Sequence, residues 1–133
     1  MTDIQTTTAT RKMSFSPEFW AAFWAAPSMS HSMHMLADDI IGYWPGDHAP
    51  VQGIEAYTQT IVDLLAVAPD LTLELVDSAT AAGRAEGEEL FFLHYVGRGT
   101  GPNGSVQIRG LDRVRTRDGV VVESVIRYDP VFV

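Results

Sequence analysis

The amino-acid sequence predicts an α+β fold: three short N-terminal helices packed into a strongly curved, mostly antiparallel sheet, which together form a cone-shaped α+β barrel. Three observations predict it. Apolar residues recur at helical spacing before residue 69, and they alternate with a period of two after it. The alternating half is also divided by Asn103-Gly104 and Asp118-Gly119, dipeptides that supply the positive φ angles of tight hairpin turns.

Ser16-Pro17-Glu18 combines an N-cap residue, a proline at the first helical position and an acid in the first turn, which predicts a helix over 17–26 closed by Pro27. Its aromatics Phe19, Trp20, Phe23 and Trp24 form a broad apolar stripe that needs a large partner surface. A second helix is expected over 30–37, with Met29, Met33 and Leu36 on one side. The run 40–44 is expected as a strand ended by Pro45-Gly46. From Gly53, the spacing of Ile54, Tyr57, Ile61, Leu64, Leu65 and Ala68 predicts the longest helix, stopped by Pro69-Asp70. Strands are then expected around 71–75, 87–101, 105–117 and 120–129. Such a sheet buries the helical stripe only by wrapping around it, which leaves a conical pocket for an apolar small molecule. Gly97, Gly99, Gly101 and Gly110 are the positions where bends or bulges would curve it.

At 133 residues and 46% hydrophobic, the chain has material for one domain, expected over 15–133. Residues 1–14 are rich in threonine and lack an apolar core, so they are expected to be a flexible tail and not a secretory signal. The formal charge of -8 repels phosphate backbones and anionic membrane surfaces, which argues against nucleic acid and membranes as partners. The lack of cysteine excludes disulfides, thiol nucleophiles and thiolate metal sites. The nearly apolar run 19–27 is far shorter than the roughly 20 residues that span a bilayer. A cytoplasmic protein is expected.

Among residues that carry chemistry, Asp112 stands out. Alternation groups it with Val106, Ile108, Gly110 and Val114 on the apolar face of its strand, where desolvation would raise its pKa toward acid/base use. His94, within Phe91-Phe92-Leu93-His94-Tyr95, is a second acid/base candidate, but a bulge near Gly97 or Gly99 would reverse the register, so either His94 or Tyr95 faces inward. Trp20, Trp24, Trp44, Ile108 and Tyr128 are expected to wall the pocket. Asp47 and His48 lie in a loop near its mouth. His31 and His34 have no third ligand at suitable spacing, so no metal is expected, nor any cofactor. Arg109, Arg113, Arg115 and Arg117 alternate on the opposite face, balanced by acids such as Glu74 and Glu123.

The order Ala37-Asp38-Asp39, Trp44-Pro45-Gly46, Val51-Gln52-Gly53-Ile54-Glu55-Ala56 and Ala68-Pro69-Asp70-Leu71 resembles SnoaL-like polyketide cyclases. So does the ending, with its Arg109-Gly110-Leu111-Asp112, Asp118-Gly119 and Tyr128-Asp129. The wider superfamily includes nuclear transport factor 2 and ketosteroid isomerases. The resemblance implies a cofactor-free proton-transfer enzyme, an aldol-type cyclase, isomerase or dehydratase acting on a small apolar carbonyl compound, with Asp112 as its acid/base. It also implies a homodimer through the outer sheet face. Where ketosteroid isomerases carry their proton-abstracting aspartate this chain has Trp44, whose indole has no basic lone pair. The alternative is a non-catalytic binding or dimerisation module of the same fold. A second titratable group within reach of Asp112 would separate the two.

Overall fold

The computed structural model describes residues 14–27 and 35–130. Helix α1, Pro17–Ala25, begins as its sequence dictates: Ser16 is extended and its Oγ accepts the Phe19 N–H at 3.0 Å, while Pro17 fills a position whose N–H would have no helical partner. It buries Trp20, Phe23 and Trp24. Helix α2, Ile54–Val67, follows Gly53, whose φ of 92° favours glycine, and buries Tyr57 and Ile61.

These are the two helices among the described residues. Of the helix expected over 30–37, residues 30–34 lie outside the described residues, and Leu36 and Ala37 already belong to strand β1, Leu36–Tyr43. The reason is non-local. Leu36 pairs in parallel with Val121, and the Val121 N–H donates to the Met35 carbonyl at 2.8 Å, so tertiary pairing overrides the local helical spacing.

The remaining strands are β2 (Val51–Gln52), β3 (Thr72–Ala82), β4 (Glu88–Gly101), β5 (Gly104–Arg117), β6 (Val120–Val125) and β7 (Tyr128–Pro130). They form one sheet in the order β2-β1-β6-β5-β4-β3, with β7 added to β5. Only the β1–β6 pair is parallel; β3 to β6 make the expected meander. Both hairpin dipeptides act as predicted, with positive φ at Gly104 (111°), Asp118 (52°) and Gly119 (85°).

Two features depart from the expected strand plan. The β4–β5 register runs unbroken from Glu88↔Arg117 to Gly101↔Gly104, and the irregularity falls instead in β3 between Leu75 and Asp77. Gly97 is therefore not a bulge; it makes room for side chains, since a Cβ there would lie 2.5 Å from Leu73 and 2.7 Å from Ile108. The expected last strand over 120–129 is split. β6 pairs with Arg113 to Arg117 and β7 with Ile108 to Gly110, so the chain steps at Ile126-Arg127 opposite Leu111-Asp112.

The core lies between the helices and the inner sheet face. Phe15 meets Phe91 edge-on at 5.1 Å, and Trp20 meets Tyr95 at 5.2 Å between ring centroids. The outer face carries an ion-pair chain: Arg113 to Glu123, Arg115 to Glu123 and Glu88, and Arg117 to Glu88. Glu74 pairs instead with Arg98. No helix among the described residues is long and apolar enough to cross a membrane.

Candidate functional site

The unbroken β4–β5 register sets Leu93 opposite Asp112 and Tyr95 opposite Gly110. Asp112 points inward and is 7% exposed; Tyr95 is 1% exposed. The Tyr95 hydroxyl donates to Asp112 Oδ1 at 3.0 Å, and the Arg127 backbone N–H donates to the same oxygen at 3.2 Å. Each donor has an identifiable local cause. Tyr95 lies across Gly110, where a Cβ would sit 2.2 Å from its Cζ and 2.3 Å from its hydroxyl oxygen. Arg127 arrives through the step between β6 and β7, pinned by Ile126 N–H to Tyr43 O at 2.8 Å and Leu111 N–H to Arg127 O at 2.9 Å. Both bonds end on Oδ1, and neither engages Oδ2.

Burial raises the Asp112 carboxyl from 3.8 to about 7, against the opposing pull of the Tyr95 hydroxyl, the Arg127 N–H and the Arg127 charge. Near neutral pH both its protonation states are populated. Around it stand phenols that stay protonated. Tyr95 is pushed up by burial and by Asp112. Tyr57 is raised to about 12 by burial, with its hydrogen bond to Ser124 pulling the other way. Tyr128 is raised by burial, then by Asp112 and Asp47.

An apolar cavity of about 60 Å³ lies beside this group, walled by Trp20, Trp24, Trp44, Tyr57, Val114 and Ser124 among others. A surface groove of about 660 Å³ is bordered by Trp44, Asp47, Gly110, Arg127, Tyr128 and Asp129. Trp44 is common to both. Asp112 sits between them, one inward-facing step along β5 from Val114 and one from Gly110, and lines neither wall itself.

The structure thus brings Asp112, Trp20, Trp24 and Trp44 together, with Tyr128 at the groove. Ile108 packs against the core and borders neither space. His94 does not join the inward group, and Tyr95 takes the inner place. His94 lies on the outer face opposite Leu111, half-exposed, with its Nδ1 3.3 Å from Asp77 Oδ1, and there it borders the surface groove with Asp47 and Tyr128. Asp47 borders the groove, His48 is exposed, and His31 and His34 lie outside the described residues. No group of three His, Cys, Asp or Glu that could hold a metal ion occurs among the described residues. Sequence reasoning missed Tyr57, Ser124 and the Arg127 amide. Ser124, a polar residue on an apolar strand face, was the available signal; Tyr57 was hidden in a helical stripe.

Residues 18–124 match the model of the SnoaL-like domain family. Among solved structures, IdmH, a candidate polyketide cyclase from Streptomyces antibioticus, is 20% identical, with 86% of this chain and 93% of that one covered at a TM-score of 0.70. AclR, a candidate hydroxylase from Streptomyces galilaeus, is 18% identical over 82% of this chain and 69% of that one, at a TM-score of 0.61. A protein with a ketosteroid isomerase-like fold from Catenulispora acidiphila, solved with trimethylamine, is 16% identical, covering 88% of each chain at a TM-score of 0.61. At these identities the likeness shows the fold. Comparison with curated protein sequences returns no match.

Proposed function

This chain belongs to the SnoaL-like domain family, and from that premise we propose that it is a cofactor-free proton-transfer enzyme for a small apolar carbonyl compound, with Asp112 as its acid/base. The observation that carries this reading is the buried pair itself: a carboxyl titrating near neutrality, with the Tyr95 hydroxyl on one oxygen and the other oxygen unengaged. A plain binding module has no need of a desolvated carboxyl, which costs stability above neutral pH.

In the proposed step, Asp112 Oδ2 takes a proton from the carbon next to the substrate carbonyl. The C–H electron pair moves onto the carbonyl oxygen as an enolate, and the protonated Asp112 returns a proton in the second half-reaction. Tyr95 and Arg127 hold Oδ1 and so aim Oδ2. Tyr57, a neutral phenol on the cavity wall, would donate to the enolate oxygen. Such a step serves an isomerase, an aldol-type cyclase or a dehydratase alike. The family resemblance also leads us to infer a homodimer.

The test is deuterium uptake at the α-carbons of 2-pentanone and cyclohexanone in D2O, followed by NMR. The wild-type protein should accelerate uptake, and Asp112→Asn should lose about 100-fold or more of that acceleration. Equal rates with the two proteins would leave the binding-module reading in its place.

A further inference from the structure

One polar corner of the inner cavity is assembled from two paired strands and a helix. Ser124 of β6 stands beside Gly42 of β1 in their parallel register. Gly42 receives the ring of Tyr57 from α2, since a Cβ there would lie 2.7 Å from its Cε2 and 2.9 Å from its Cδ2. Trp44 packs on the same ring at 5.6 Å between centroids, so the phenol has little freedom to swing. Ser124, 3% exposed, is hydrogen-bonded to the Tyr57 hydroxyl. Alanine or valine would fill this place on an apolar strand face without burying a hydroxyl. Among the described residues, Tyr57 and Ser124 are also the two hydroxyl-bearing side chains on the cavity wall. Ser124 pairs across the sheet with Val114, one inward step from Asp112, and the Asp112 charge reaches the Tyr57 hydroxyl. The hydroxyl pair and the carboxyl are therefore neighbours.

A phenol oxygen can accept one hydrogen bond while its own O–H donates another. Were Ser124 the acceptor, the phenol proton would be used up within the wall; with Ser124 donating, that proton is free for a ligand. We propose that Ser124 is a positioning residue: its hydroxyl donates to the Tyr57 oxygen and so turns the Tyr57 O–H toward the carbonyl oxygen of the bound compound. The relay from Ser124 through Tyr57 polarises the phenol as negative charge grows on the ligand oxygen. Gly42 and Trp44 fix the direction of the ring before the ligand arrives. Ser124 itself touches no reacting atom. The proposal rests on the reading of Asp112 as the acid/base and of Tyr57 as the donor to the enolate.

The test is a double-mutant cycle on the full-length protein, read as deuterium uptake at the α-carbons of 2-pentanone over a range of ketone concentrations. Ser124→Ala should cut the maximal rate about fivefold, the equivalent of ~1 kcal/mol for one hydrogen bond, while the half-saturating concentration stays within about twofold. In a Tyr57→Phe background the same substitution should change the rate by less than about twofold, because the group it positions has gone. If Ser124→Ala does not fold, Ser124→Cys, which puts a weak donor on the same frame, takes its place in the cycle with the same expectation. A Ser124→Ala rate equal to that of the wild type overturns this inference, as does a Tyr57→Phe variant as fast as the wild type. An equal loss in both backgrounds also overturns it, since Ser124 would then act through packing alone. All three results leave the Asp112 reading standing as long as Asp112→Asn is slow. If Asp112→Asn matches the wild type, the acid/base reading falls and takes this one with it.

Discussion

Replacing Gly110 with alanine would place a methyl group 2.2 Å from Tyr95 Cζ and 2.3 Å from its hydroxyl oxygen. Carbon contacts are comfortable at about 3.5–4.0 Å, so the phenol must retreat by more than an ångström. Its bond to Asp112 Oδ1 is 3.0 Å long and would not survive a displacement of that size. Gly110 has no positive φ, so a change to alanine there would ordinarily stabilise by about 0.4–1 kcal/mol through the unfolded chain. Here overpacking costs about 1–3 kcal/mol, and the lost hydrogen bond to a carboxylate about 1.5–3 kcal/mol more. The net expectation is a destabilisation of about 2–5 kcal/mol, read by urea denaturation with an unchanged m-value. The Asp112 carboxyl should also titrate higher, because a donor to its charged form has gone. A variant as stable as the wild type, with Asp112 unmoved, would show that Tyr95 is not seated on Gly110 as described.

Tyr95→Phe isolates the hydrogen bond without the steric push. A bond to a charged acceptor is worth about 1.5–3 kcal/mol, so the Asp112 pKa should rise by about one to two units on NMR titration, and an unchanged value would count against the contact. Because the Asp112 pKa is higher in the folded chain than in the unfolded one, the native state holds its proton more tightly. This group's stability contribution is therefore fully present below about pH 4 and lost as pH rises to about 7, a total of about 4 kcal/mol for roughly three units. Asp112→Asn should accordingly be more stable than wild type at pH 8 and lose that advantage at pH 4; parallel stability curves for the two proteins would contradict this. Thr116 is 1% exposed and its hydroxyl oxygen has no hydrogen-bond partner, so Thr116→Val, nearly the same shape, should raise stability by about 1 kcal/mol in thermal unfolding. A loss on that substitution would mean that the hydroxyl is bonded.

Local chemistry was legible in the sequence. Ser16-Pro17 opened α1, Asn103-Gly104 and Asp118-Gly119 made the hairpins, and period-two alternation placed Asp112 inward. What escaped was set by distant partners. Leu36 has helical spacing but pairs with Val121 of β6. The inward place went to Tyr95 and not His94 because the bulge fell at Leu75/Asp77 in β3, a choice that no residue of β4 encodes. The break at Ile126-Arg127 is likewise invisible along the chain, since its purpose in the fold is a hydrogen bond to a carboxylate fifteen residues away.

The most direct test of the account is the pKa of Asp112, measured by carboxyl-resolved NMR titration with Asp112→Asn assigning the signal. A midpoint near 7 is predicted, as expected for a desolvated carboxyl able to exchange protons at neutral pH. A midpoint at or below the roughly 3.9 of a model aspartate would make Asp112 a structural carboxylate and contradict the proposed chemistry.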